Sequence, residues 1–141
     1  MSRYLLDTDV VIDYLAGVSS SVRLIQELGE RGDVLCTCGV VIAELFAGVH
    51  AADRPKVQRL VASFRFLAAN ATTAEEAGEW RYRFARQGKT LSTTDCLIAA
   101  TARFAGATLV TGNVKDYPME GVVLLAARSI WPRGAGPGRS T

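Results

Sequence analysis

Short apolar runs alternate with longer amphipathic stretches along this chain, with turn residues between them. Tyr4-Leu5-Leu6 is too short for a helix and reads as a buried strand. Thr8 is placed to cap a helix through Asp9-Val10-Val11-Ile12-Asp13-Tyr14-Leu15, which Gly17 ends. A second helix is expected from Ser19–Ser21 to Glu30, after which Gly32-Asp33 turn the chain into a strand at Val34 to Thr37. A third helix carries Val40, Val41, Ala43, Glu44, Leu45 and Ala47. Arg54 to Ser63 makes a fourth, and Phe66-Leu67-Ala68 a strand.

The next helix opens at Thr72-Thr73. It has Glu75, Glu76 and Glu79 in its first half and Arg81, Arg83 and Arg86 in its second, an order that suits the helix dipole. Glu79 and Arg83 stand four apart as an ion pair, and Trp80 with Phe84 forms an aromatic face that reads as core rather than a base-stacking platform. Ser92, Thr93 or Thr94 caps a further helix bearing Leu97, Ile98, Ala100, Thr101 and Phe104, which Gly106 ends. Strands at Thr108 to Val110 and Val122 to Leu125 follow. Strands alternate with helices throughout, so the expected architecture is α/β, a parallel sheet covered on both faces. The glycine-rich polar end, residues 132–141, is expected to be a disordered tail.

Four acids stand against this pattern. Asp7 ends the first strand, and Asp116 follows the run Thr108-Leu109-Val110-Thr111-Gly112-Asn113-Val114-Lys115. Glu44 and Asp95 interrupt apolar helical stretches, where a carboxylate costs stability unless something compensates. Ligands of open parallel sheets bind beyond the carboxyl ends of the strands, where Asp7, Thr111, Asn113 and Asp116 are expected. Each acid alone is explained nearly as well by a helix end or a solvated surface; Asp95 and Asp9, for instance, suit the first turn of a helix. If the four converge, their repulsion calls for a cation. Oxygen ligands suit magnesium or manganese, and such an ion makes a water nucleophilic beside a phosphodiester. No serine–histidine pair or activated cysteine is evident in the sequence, so an activated water fits better than a protein nucleophile.

Composition changes this picture little. The 141 residues are the length of one domain, and a net charge of +2 is too small to argue for nucleic acid by itself. Its distribution is more informative: Arg81, Arg83, Arg86 and Lys89 form one basic cluster, and Arg54, Lys56, Arg59 and Arg65 another. An acidic centre with basic surroundings would suit a polyanion, and the first cluster is the expected RNA contact. Cys36, Cys38 and Cys96 make no disulfide framework and read as buried thiols in a reducing compartment. With no leader pattern and no apolar run of about 18 residues, the expectation is a cytoplasmic protein without a membrane span.

Four segments in order carry a resemblance. Tyr4-Leu5-Leu6-Asp7-Thr8-Asp9-Val10-Val11-Ile12-Asp13 resembles the opening of PIN domains, the VapC toxins among them. Val41-Ile42-Ala43-Glu44-Leu45 with Gly48 is similar to the segment bearing the family glutamate. Ser92-Thr93-Thr94-Asp95-Cys96-Leu97-Ile98-Ala99-Ala100-Thr101-Ala102 and Leu109-Val110-Thr111-Gly112-Asn113-Val114-Lys115-Asp116-Tyr117 resemble the two later motifs. The likeness reaches about residue 127 and implies a PIN domain over residues 1–131, with a five-stranded parallel sheet and helices on both faces. It implies a magnesium- or manganese-dependent endoribonuclease in which Asp7, Glu44, Asp95 and Asp116 are the acidic quartet that binds metal. Thr8, Thr111 and Asn113 would support them. It further implies a homodimer, an RNA substrate such as transfer or ribosomal RNA, and a VapB-type antitoxin that blocks the site and alone contacts DNA. In that setting the negative cluster could take an arginine of the antitoxin in place of metal. Asp9 stands where many relatives have Asn, though Asp is also familiar there, and it would add negative charge near the metal. Cys96 replaces a usual Ala and Tyr117 a usual Phe, both read as volume-tolerant changes.

Two rivals start from the same residues. Asp7-Thr8-Asp9 also looks like the nucleophile motif of haloacid-dehalogenase-type phosphatases, with Asp7 attacked by phosphate. Thr111 would suit their second motif, but too little chain remains for the lysine and paired acids that follow, and Glu44 would have no role. The other rival is a PIN-like module that binds RNA or protein without catalysis; the presence of all four acids argues against a decayed site.

Overall fold

The computed structural model describes residues 1–127. The expected tail at 132–141, and the last four residues of the expected domain, lie outside the described residues. The strands are β1 (Arg3–Leu6), β2 (Val34–Cys38), β3 (Arg65–Leu67), β4 (Thr108–Thr111) and β5 (Leu124–Ala126). The helices are α1 (Thr8–Leu15), α2 (Ser19–Glu30), α3 (Gly39–Gly48), α4 (Arg54–Ser63), α5 (Ala71–Arg86) and α6 (Thr93–Phe104).

All five strands pair in parallel, in the order β3-β2-β1-β4-β5. Leu5 in the central strand lies beside Cys36 on one side and Leu109 on the other, and all three are fully buried. Strands buried on both faces read as continuous apolar runs, which is why Leu5-Leu6 and Leu109-Val110 lack alternation. The chain moves outward from β1 through β2 to β3, then returns past β1 to β4 and β5. Right-handed crossovers therefore put α1–α4 on one face and the returning α5 and α6 on the other. The strand order reverses between β1 and β4, and the crevice there receives the ends of both strands.

Several element ends differ from the expectation. The residue capping α1 is Asp7, whose Oδ1 accepts from the Thr8 N–H at 2.8 Å, so Thr8 is the first helical residue. Asn70 opens α5 by accepting from both the N–H and the hydroxyl of Thr73, and Thr72 caps nothing. Of the three candidates before α6, Ser92 is the cap, accepting the Asp95 N–H at 3.1 Å. The last strand is set by pairing rather than by apolarity: Leu109 lies beside Leu124, which moves β5 two residues along from Val122. Glu79 and Arg83 form no ion pair; Glu76 instead pairs with Arg103 and ties α5 to α6. Trp80 is 4% exposed and Phe84 half-buried, as the helical spacing predicts for core.

Candidate active site

The crevice between β1 and β4 is built around Asp7. Its backbone extends β1 by donating to the Val110 carbonyl at 2.9 Å, so the side chain emerges where the strand ends. The carboxylate is only 7% exposed and accepts three hydrogen bonds. The Thr8 N–H donates to Oδ1 at 2.8 Å, while the hydroxyls of Thr111 and Tyr117 both donate to Oδ2 at 2.8 Å. Three donors on two oxygens leave the carboxylate little rotational freedom.

Asp95 reaches the same place from the first turn of α6. Tyr117 Oη lies 3.3 Å from its Oδ1, so one phenol touches both acids. Burial raises the Asp95 carboxyl above its ordinary range, and the charges of Asp7 and Asp116 raise it further. Asp116 sits exposed in a single 3₁₀ turn, Val114–Asp116, just beyond β4. Its influence on Asp95 places Asp7, Asp95 and Asp116 in one electrostatic neighbourhood.

Glu44 approaches differently. It is exposed on α3 rather than enclosed among its apolar neighbours, so the expected burial cost does not arise. The Thr8 hydroxyl, free of a capping role, donates to Glu44 Oε1 at 2.6 Å. Thr111 donates to Asp7 and accepts from the Asn113 N–H at 3.0 Å. All seven expected positions thus lie at the carboxyl end of the sheet or within one hydrogen bond of it.

One contributor escaped the sequence reading, and another was read only as added charge. Tyr117 is 2% exposed, and its hydroxyl is not a neutral replacement for the absent group of a phenylalanine. Burial and the two adjacent acids push its phenol far above the ordinary range, so it remains a donor. Asp9 is the other. Its Oδ2 accepts from the Gly112 N–H at 2.9 Å and from Asn113 Nδ2 at 3.3 Å, pinning the loop that leaves β4. Its Oδ1 is buried without a partner. Burial, and next the charge of Asp7, raise Asp9 from 3.8 to about 6. Its identity was visible in the sequence, but its bond to a loop 103 residues away was not.

The donor set is hard oxygen, as magnesium and manganese require. Among the described residues no three acidic, histidine or cysteine side chains come close enough to enclose an ion by themselves. Magnesium does not need that, because it keeps several waters and takes one or two carboxylates with substrate phosphate. Asp7 and Asp95 fit that requirement, and the unpartnered Asp9 oxygen adds uncompensated charge beside them.

The basic cluster does not form one surface. Arg81 Nε donates to the Leu91 carbonyl at 2.8 Å, bracing the segment that leads into α6. Arg86 stacks over the exposed Tyr82 ring, 4.0 Å from its centroid, and lines a groove with Arg81 and Thr90. Arg83 lines a separate cavity with Trp80 and Arg103. An apolar groove of about 390 Å³, lined by Ile12, Leu15, Leu45, Val49 and Val57, opens beside Glu44. Cys36, Cys38 and Cys96 are buried free thiols, and no helix among the described residues is long and apolar enough to cross a membrane.

Comparison with known proteins matches this architecture. The PIN domain family model matches residues 4–115. Ribonuclease VapC10 of Mycobacterium tuberculosis is 36% identical over 115 residues, covering 82% of this chain and 86% of the relative. The tRNA(fMet)-specific endonuclease VapC of Shigella flexneri is 28% identical over 126 residues, covering 86% and 94%. Among solved structures, VapBC2 from Rickettsia felis, bound to a promoter DNA fragment, superposes with a TM-score of 0.78 at 22% identity, over 88% of this chain and 98% of that one. With the acids grouped beyond β1 and β4 and a family match across most of its length, the chain belongs to the PIN-domain family, in its VapC branch.

Proposed function

We propose that this protein is a divalent-metal-dependent endoribonuclease, the toxin of a VapBC-type pair, hydrolysing phosphodiester bonds of a structured RNA. The observation that carries this proposal is the approach of Asp7 and Asp95 to one phenol where the strand order reverses, with Asp116 on the loop just beyond β4, in a chain of the VapC family. Carboxylates crowded this way stabilise a cation more than they stabilise one another. Magnesium or manganese, when bound, supplies an acidified water and charge neutralisation at phosphorus.

The chain's own groups prepare that chemistry. Thr111, Tyr117 and the Thr8 N–H hold Asp7 in one orientation. The Thr8 hydroxyl aligns Glu44 at the rim, where it can orient a water or accept its proton. Asp9 accepts from the Gly112 N–H and the Asn113 side-chain amide, holding the loop that leads to Asp116. Transfer and ribosomal RNA hairpins are the proposed substrates, since unstacked bases admit recognition by shape and side-chain stacking. The Shigella flexneri relative is named for transfer RNA, which favours that class.

A VapB-type antitoxin is the proposed partner, its apolar residues lying in the groove beside Glu44 and a basic side chain at the acids. Promoter DNA would be bound by that partner and not by this chain. A homodimer is proposed on family grounds. The phosphatase alternative leaves Glu44 and Thr8 without a task.

The test uses the purified, partner-free protein and its Asp95→Asn variant with structured RNA in manganese, magnesium or EDTA. Metal-dependent cleavage that disappears in the variant is expected. Cleavage surviving in EDTA, or equal in the variant, would sink the mechanism. An aspartyl-phosphate on Asp7 would favour the phosphatase.

A further inference from the structure

We propose that Tyr117 is a positioning residue, its hydroxyl setting the spacing and presentation of Asp7 and Asp95 toward a divalent cation. The proposal rests on the nuclease reading and deepens it at the same site.

The tyrosine cannot relocate easily. It follows the 3₁₀ turn Val114–Asp116, its N–H donates to the Val114 carbonyl at 3.1 Å, and its side chain is enclosed in the core. That fixed ring delivers one hydroxyl between two carboxylates, 2.8 Å from Asp7 Oδ2 and 3.3 Å from Asp95 Oδ1. A phenol has a single proton to donate. The shorter contact assigns it to Asp7, so the Asp95 oxygen faces a phenol oxygen already acting as donor elsewhere.

The consequence is a spacer with two functions. Toward Asp7 it supplies one of the two hydroxyl donors on Oδ2, the other being Thr111. Toward Asp95 it occupies the space through which that carboxylate would otherwise shift. Tyr117 is the one side chain among the described residues whose hydroxyl lies within hydrogen-bond distance of both acids. Thr111 holds Asp7 alone, and Ser92 holds the backbone of Asp95 alone. Removing the phenol oxygen leaves Asp7 with one hydroxyl donor and lets the two like charges separate. Asp7 and Asp95, the carboxylates that would hold the cation, then lose their prepared spacing. Groups that orient metal ligands typically change affinity or activity by about 10–100-fold when removed.

Tyr117→Phe is the decisive substitution, because it keeps the buried ring and deletes only the hydroxyl. Manganese is titrated calorimetrically into the full-length wild type, Tyr117→Phe, Asp95→Asn and the double variant, with melting temperatures recorded without metal. The expected result is manganese binding weakened roughly 10–100-fold in Tyr117→Phe, with far less further loss when the same change is made in the Asp95→Asn background. RNA cleavage by Tyr117→Phe should show a reduced kcat at an unchanged KM for RNA, recovering as manganese is raised. Manganese bound as tightly as, or more tightly than, by wild type would overturn the proposal, as would a lowered melting temperature with unchanged affinity. Full additivity in the double variant would also overturn it. A wild type that binds no manganese and cleaves no RNA defeats the nuclease reading and this inference together. A wild type that does both, matched by Tyr117→Phe, defeats only the role given to Tyr117.

Discussion

Thr8 and Glu44, 36 residues apart, meet through a 2.6 Å hydrogen bond from the Thr8 hydroxyl to Glu44 Oε1. The contact exists because Asp7, not Thr8, caps α1, which leaves the threonine hydroxyl free for α3. Thr8→Val keeps the shape and removes the donor. Glu44 is exposed, so stability should change by no more than about 0.5 kcal/mol. RNA cleavage should fall by about 10-fold, and Thr8→Ser should retain most of it. Thermal melts and single-turnover cleavage check this together; a valine variant as active as wild type would remove Thr8 from the site.

Gly112 is set apart by close approach to the Asp9 carboxylate rather than by backbone conformation. A Cβ there would collide with Asp9 Oδ2, the acceptor of the Gly112 N–H. Gly112→Ala should displace the Asp9 carboxylate and the loop carrying Asn113 and Asp116. We expect activity to fall by about 10-fold while stability falls by no more than about 1 kcal/mol, because Gly112 is exposed and the obstructing atom is a side-chain end. Asp9→Ala in the same chain should recover part of the lost stability. Strict additivity of the two changes in denaturant melts would show that the collision is not the cause.

Asp9 gives stability a pH dependence of definite sign. Its carboxyl is raised from 3.8 to about 6, so between those values the folded chain holds a proton that the unfolded chain has released. Its favourable contribution is complete below 3.8 and is lost as pH rises through about 6. In EDTA, the wild type should therefore lose stability across this interval relative to Asp9→Asn, whose side-chain oxygen can still accept the Gly112 N–H. Parallel melting-temperature profiles for the two proteins from pH 4 to pH 7 would contradict this, whatever slope they share.

Three of the four basic residues of α5 and its following turn, Arg81, Arg86 and Lys89, separate into two kinds. Arg81 supports the Leu91 backbone, so Arg81→Ala should cost about 1 kcal/mol of stability. Arg86→Glu gives up the Tyr82 stack and puts a negative charge at the end of α5, so it should cost about 1 kcal/mol, whereas the exposed Lys89→Glu should leave melting unchanged. They should weaken RNA binding and reduce its salt slope by about 0.7 for each phosphate that is no longer neutralised. Binding isotherms at several salt concentrations decide the matter; an unchanged slope would exclude these residues from the RNA surface.

Much of the fold was legible because its signals are local. Leu5-Leu6 and Leu109-Val110 are continuous apolar runs because both faces of a central strand are buried, and the helices carry their apolar periodicity in every turn. Limits of elements were less legible. Asn70 rather than Thr72 opens α5, and β5 is displaced by its pairing with β4, since neither a cap geometry nor a strand register is contained in residue type alone.

At the site, the sequence by itself determined which acids and hydroxyls are present, and their ordered motifs named the family. It could not rank them by contact. Tyr117 read as a phenylalanine substitute of similar volume; only folding brings its hydroxyl to Asp7, 110 residues away, and to Asp95. Glu44 read as an acid within an apolar helix; the packing of α3 turns it outward to Thr8. Arg81 read as one of a basic cluster; the approach of Leu91 makes it a backbone donor. The physical reason is common to all three. Periodicity and composition encode which face of an element is apolar, whereas a hydrogen bond needs two groups within about 3 Å, and the close pairing of distant elements is settled only when the sheet and its helices pack.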